Sequence, residues 1–299
     1  MKLFVNDLTV MDFSYLCPKR GMVGESWIVD IILDGGLNDE SMVQDFGIVK
    51  KQLKSLIDDY IDHKLVIPAD SESTTIIHNE GTDAVDVVFN FAKASEPVQH
   101  ILLRCPSEAY AFVYSKVIDK PSVVSYLKDI ISTQLPQNVD TIDIELREEY
   151  IPSPYYHYTH GLKKHDGNCQ RIAHGHRSKI VITENGARSE SLEHHWAQKW
   201  QDIYIGTQED LIPIHDSHLY PMAKQMGCEG SEHYAFQYEA SQGQFSMIIS
   251  KNVCDIITQD STVECIAQHI LDNTVQLSNG SLQVQAFEGV GKGAIVGNK

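Results

Sequence analysis

Two stretches of this chain, PSVVSYLKDIISTQLPQNVDTIDIELRE (121–148) and STVECIAQHILDNTVQLSNGSLQVQAFE (261–288), share one layout. In each, apolar spacing predicts an amphipathic helix, then a polar turn, then an alternating strand that ends in glutamate, Glu148 or Glu288. The beginnings of the two halves match as well. LFVNDLTVMDFSYLCPKRGMVGESWIVDIIL has an alternating strand, a cysteine in a turn and a second alternating strand, and YYHYTHGLKKHDGNCQRIAHGHRSKIVIT repeats that order. Between these ends the first half carries VQDFGIVKKQLKSLIDDYIDH, with Phe46, Val49, Leu53, Leu56, Ile57 and Tyr60 at helical spacing. A chain repeating such a layout is expected to fold as two similar α+β units built on antiparallel hairpins, residues 1–150 and 151–299.

Composition narrows the classes of function. The 299 residues suit about two domains, and no apolar run approaches the ~18 residues a membrane helix needs. The opening MKLFVNDLTV reads as a strand, not a secretory leader, and predicts a cytoplasmic chain with no membrane partner. Six widely spaced cysteines, at 17, 105, 169, 228, 254 and 265, form no disulfide framework. With 41 acidic against 24 basic residues the net charge is −17, which repels nucleic acid. Lys163, Lys164, Arg171, Arg177 and Lys179 stand out locally and suit a small anionic ligand.

Those cations belong to HGLKKHDGNCQRIAHGHRSK (160–179), where chemistry concentrates. His174 and His176 lie two apart at the start of a strand expected to run to about Thr183, so both project from one face. His160, ending the preceding hairpin strand, can reach the same face. Three imidazoles with an open fourth position are a common catalytic zinc set, although a cluster of exposed polar residues at a sheet edge has the same spelling. Cys169 is suited equally to a fourth metal ligand or to a base activated by the metal, Arg171 and Lys164. Asp62 and His63, after the first-half helix, form a usable acid or base if buried together, and surface decoration otherwise. Glu148 and Glu288 are either solvated strand ends or carboxylates for the paired N–H groups of a pterin or guanine edge. The glycine-rich FEGVGKGAIVG matches no phosphate-binding loop and reads as a turn and tail, while the tryptophans of HHWAQKWQDIY read as packing residues.

Taken in order, His160-x-Leu162, Cys169, His174-Gly-His176, MVQDF leading to Asp62-His63, Thr262-x-Glu264 and Glu288 form a set. It resembles the 6-pyruvoyl-tetrahydropterin synthase and 6-carboxy-tetrahydropterin synthase family. The resemblance implies two tandem tunnelling-fold units, antiparallel sheets with helices packed on one face, assembling into barrels as a homo-oligomer. It implies Zn2+ held by His160, His174 and His176, and proton transfer by Cys169 with Asp62 and His63. It further implies a dihydropterin triphosphate substrate met by Glu288 or Glu148, Thr262 and Glu264, with Lys163, Lys164 or Arg171 at the triphosphate. The outcome would be triphosphate elimination or carbon–carbon cleavage, the 6-carboxy product being preferred. The non-catalytic alternative is a zinc protein that holds a pterin or purine without turning it over.

The two halves depart from the family pattern in opposite places. The second lacks the Asp-His pair. The first keeps Asp45, Phe46, Asp62, His63, Cys17 and Glu148, but has Ser14 for the first histidine and Val23 and Glu25 for the H-G-H pair. Complementary loss predicts one site per chain, built from the metal residues of the second half and the Asp-His of the first.

Overall fold

The computed structural model describes every residue except Asn279 and Lys299. The first half begins with a long antiparallel hairpin, β1 (Lys2–Cys17) and β2 (Gly21–Gly35), followed by α1 (Phe46–Tyr60) and β3 (Leu65–Pro68). It continues through β4 (Thr74–His78), β5 (Ala84–Phe91), β6 (Gln99–Pro106), β7 (Tyr110–Val113), α2 (Lys120–Ser132) and β8 (Val139–Glu148). In the second half β9 (Tyr155–His160) and β10 (His174–Glu184) precede a short β11 (Ala187–Arg188), α3 (Glu190–Lys199) and β12 (Ile203–Thr207). Then come β13 (Leu211–Ile212), α4 (Tyr220–Met226), β14 (His233–Ala240), β15 (Gly243–Ser250), β16 (Cys254–Ile257), α5 (Val263–Thr274), β17 (Leu282–Phe287) and β18 (Gly293–Gly297).

Two sheets have the same strand order and the same pairing senses. One runs β7-β3-β1-β2-β8, and the other runs β16-β12-β9-β10-β17 before adding β18. In each, the central hairpin and its outer strand pair antiparallel, while β3 and β7, or β12 and β16, add in parallel. The third sheet draws on both halves, because β6 pairs antiparallel with β15 in the order β13-β14-β15-β6-β5-β4. A continuous sheet therefore ties the halves together.

The helices cover one face of each repeated sheet. Asp45 caps α1 by accepting from the Ile48 amide at 3.0 Å, and Val49, Leu53 and Ile57 bury its inner stripe. Asp119 and Ser122 cap α2 reciprocally, and Val123, Leu127 and Ile131 join the same core. In the second half α3 and α5 do this work: Trp196, Trp200, Ile266 and Ile270 pack on Tyr156, Tyr158, Ile180 and Val284. The two tryptophans are thus core residues, as their spacing predicts.

The central hairpins cross on their other faces, which buries the ends of β1 and β10 on both sides. Gly24 and Gly175 mark the crossing. A Cβ on Gly175 would lie 2.6 Å from Ser14 Oγ and 2.8 Å from Gly24 Cα. Nearby, the Ser14 and Thr159 hydroxyls share a 2.7 Å hydrogen bond. This crossing carries first-half residues into the second half's histidine cluster.

The tail differs from the sequence expectation. Residues after Glu288 turn and return as β18, which covers the edge of β17 from Phe287 to Gln283. No helix among the described residues is long and apolar enough to cross a membrane.

Candidate metal centre

Antiparallel pairing of β9 with β10 sets His174 opposite His160 and His176 opposite Tyr158. The ring centroids of His160 lie 4.5 Å from His174 and 5.4 Å from His176. All three rings are buried, and one ligand atom of each lies within 4.8 Å of the other two. Their Nδ1 atoms point outward to protein oxygens. That of His160 is 2.9 Å from the Ser261 carbonyl, that of His174 3.2 Å from the Arg171 carbonyl, and that of His176 3.2 Å from Asp12 Oδ1. For His160 and His174, whose Nδ1 donates to a carbonyl, Nε2 becomes the acceptor nitrogen. None of the three Nε2 atoms has a hydrogen-bond partner, and the His176 Nδ1 contact with Asp12 lies at ion-pair distance without hydrogen-bond geometry.

Three converging, buried and unsatisfied imidazole acceptors fit a metal ion, because each otherwise bears a desolvation cost of about 1–3 kcal/mol. Burial, reinforced by the neighbouring imidazoles, holds His160 and His174 well below the usual histidine range. That favours the neutral form which ligation requires. The three-imidazole donor set suits a metal ion of the zinc class, and Glu288 Oε1 lies 3.8 Å from His176 Nε2.

A second group, His63, Cys169 and His174, adjoins the first. Cys169 sits in a one-turn 3-10 helix, Asn168–Gln170, pinned by the Leu162 amide donating to its carbonyl at 2.8 Å. His63 reaches it from the first half. Its ring centroid lies 5.2 Å from that of His174, and its Nδ1 is 2.6 Å from Asp62 Oδ2. The other oxygen of Asp62 accepts the Asp12 amide at 2.7 Å, and the His63 amide donates to the Asp12 carbonyl at 2.7 Å. His63 adopts a left-handed backbone, φ 55°, at this junction. Burial opposes its charged form, but Asp62 and then Cys169 outweigh burial, and the His63 pKa is pushed up to about 10.

The remaining expected residues divide. Arg171 is buried, with Nη1 3.5 Å from the His63 carbonyl and its nearest carboxylate, Glu108, 3.9 Å away. Lys164 instead bridges Glu209 at 2.9 Å and Asp260 at 3.0 Å, and Lys163 pairs with Glu209 and Asp210. Both lysines are therefore neutralised by neighbours within their own unit. Thr262 caps α5 and lines a 400 Å3 cavity with Lys164, Gln259 and Asp260, whereas Glu264 is exposed. Glu148 lies at the end of the other repeated sheet, 2.8 Å from Lys120, and is not part of the centre.

The first half's counterpart of the centre differs by one residue from the sequence expectation. Val23 pairs across the hairpin with Tyr15, as His174 pairs with His160, so Tyr15 and not Ser14 stands where the first histidine would be. Its hydroxyl accepts from Arg20, which also forks onto Asp202 at 2.9 and 2.5 Å. Sequence reasoning also missed Asp12 and Lys292. The signal for Asp12 was a lone acid inside the apolar run TVMDFSYL. Lys292 gave no comparable signal in its glycine-rich turn.

No family model and no curated protein matches the chain. Solved structures do. The chain is structurally similar to 6-pyruvoyl tetrahydropterin synthase over about half its length. For the Plasmodium vivax protein the TM-score is 0.39 at 15% identity, covering 51% of this chain and 93% of that one. For the Plasmodium falciparum protein the TM-score is 0.36 at 14% identity, covering 49% and 90%.

Proposed function

We propose that this chain is a zinc-dependent pterin synthase with one composite active site, acting on 7,8-dihydroneopterin triphosphate. The observation that carries the reading is the meeting of Asp62 and His63, from the first half, with Cys169 and the three histidines of the second. Each half alone lacks part of this set. In this reading the halves are tandem tunnelling-fold units that have lost complementary residues, and their shared strand order supports that origin.

The proposed chemistry is proton movement on the pterin side chain. Cys169 acts as the base that takes a proton from a side-chain carbon, and His63, held by Asp62, exchanges protons on the opposite side. A bound zinc would supply Lewis-acid stabilisation of the oxygen on which negative charge develops. In this reading Glu288 accepts the paired N–H groups of the amino-pyrimidine edge, and Arg171 receives the anionic tail. Lys163 and Lys164 play no part in this version, being paired already. The outcome is triphosphate elimination or carbon–carbon cleavage to the 6-carboxy product, in a homo-oligomer that completes the barrel.

Incubating the zinc-loaded protein with 7,8-dihydroneopterin triphosphate and identifying the product by mass spectrometry tests the reading. Turnover that Cys169→Ala abolishes supports it. Tight pterin binding without turnover by the wild type would establish the non-catalytic alternative instead.

A further inference from the structure

Asp12 links the metal residues to the Asp62–His63 pair, although it belongs to neither. Its carboxylate is nine-tenths buried or better, at 3% exposure, in the middle of β1. Oδ1 lies 3.2 Å from His176 Nδ1 and accepts from Ser26 Oγ at 2.5 Å, while Oδ2 lies 3.1 Å from Lys292 Nζ. Its main chain engages the other group: the amide donates to Asp62, and the carbonyl accepts from the His63 amide. One first-half residue therefore touches a second-half metal ligand with its side chain and the proton-transfer pair with its backbone.

We propose that Asp12 is a positioning residue for the metal centre, contributed across the two halves, whose carboxylate, at ion-pair distance from His176 Nδ1, draws the ring proton to that nitrogen and leaves Nε2 presented to the ion. A carboxylate on the far nitrogen of a ligating histidine sets its tautomer, locks its ring and makes it a better donor. His176 alone of the three histidines has such a partner; the other two lean on backbone carbonyls of the second half. Ser26 and Lys292 hold the carboxylate in place, so Lys292, from the turn before β18, has a use that its glycine-rich surroundings conceal. This geometry makes metal affinity in the second half depend on the first half, whose own counterpart histidines are absent. The inference rests on the metal reading above.

The full-length chain carrying Asp12→Asn, which keeps size and shape, is the test variant. Zinc affinity is measured by competition with a chromophoric chelator, and the site is inspected through the visible spectrum of the cobalt-substituted protein. Asp12→Asn is expected to weaken zinc by about 10-fold to 100-fold and to shift the cobalt bands. Glu40→Gln, at an exposed carboxylate in the loop before α1, should leave zinc affinity within about twofold and the bands in place. Wild-type zinc affinity and an unchanged cobalt spectrum in folded Asp12→Asn would overturn the inference while leaving the metal reading intact. Failure of the wild type to bind zinc or cobalt would sink the metal reading itself. Lys292→Met provides a second variant should Asp12→Asn not fold: it should weaken zinc in the same direction, and unaltered affinity there would count against the proposal.

Discussion

His63 and Cys169 come from opposite halves of the chain and face each other beside His174, with ligand atoms within 4.8 Å. Neither half can supply both. Positioned acid–base groups contribute about 10²-fold to 10⁴-fold to a proton transfer. His63→Ala and Cys169→Ala should each lower kcat with 7,8-dihydroneopterin triphosphate by that range and change KM little. Steady-state kinetics check this, and a mutant whose kcat stays within threefold of wild type would remove that residue from the mechanism.

Metal content gives an independent prediction. The wild-type chain should purify with about one zinc, because the second position has Tyr15, Val23 and Glu25 where the first has three histidines. A ligand that binds only the native state stabilises it, by about 4 kcal/mol at a thousandfold excess over its Kd. Chelation should therefore lower Tm measurably. His174→Ala should start from the lower Tm and show no further drop on chelation, as followed by calorimetry with elemental analysis.

Much of this site is legible in the sequence, and the remainder is hidden for identifiable reasons. Alternation within HGH placed His174 and His176 on one face, and hairpin logic placed His160 with them. The complementary losses pointed to the crossing of the halves. Register was harder. The β1–β2 turn spans residues 18–20 but the β9–β10 connection spans 161–173, so matching the halves by spacing selected Ser14 where strand pairing selects Tyr15. The ion pairs of Lys163 and Lys164 depend on Glu209, Asp210 and Asp260, which are brought close only by folding. Asp12 and Lys292 were missed because their partners lie across the chain.

Glu25 offers a pH-dependent prediction away from the metal residues. It occupies the position equivalent to His176, buried, accepting from the Ser26 amide at 3.0 Å and lying 3.9 Å from His157 Nδ1. Burial pushes its carboxyl up to about 7, against the Ser26 amide, with Arg177 and Arg20 lowering it and Glu148 raising it. Burial also draws His157 down to about 4, so that ring adds no counter-charge near neutrality. Below the ordinary carboxyl value of 4.5, Glu25 is protonated in both folded and unfolded chains. As pH rises towards 7 the unfolded chain releases the proton first, so the Glu25 contribution to stability falls across that window and then levels. Glu25→Gln should match wild type near pH 4 and exceed it by about 3 kcal/mol at pH 8, in urea unfolding at each pH. Equal stability of the two proteins at pH 8 would contradict the buried-carboxylate account.

The hairpin crossing should be intolerant of any side chain. Gly175 separates two of the candidate metal ligands in sequence and faces away from them, toward the first half. A Cβ there would press on Ser14 Oγ, Gly24 Cα and the Tyr158 carbonyl, and two of those three are in main chain that cannot rotate aside. Overpacking in a core costs about 1–3 kcal/mol when side chains can yield. Here the backbones of β2 and β9 must move away from β10, so Gly175→Ala is expected to cost about 3 kcal/mol or more. The same movement would shift His174 and His176 relative to Asp12, so zinc affinity should fall with stability. Gly36→Ala, at a position with open space around its Cβ, is the control and should unfold within about 0.5 kcal/mol of wild type. Urea denaturation of both variants, with zinc titration of the folded fraction, separates the outcomes. A Gly175→Ala protein as stable as the control would mean that the halves do not pack as closely as Gly24 and Gly175 require.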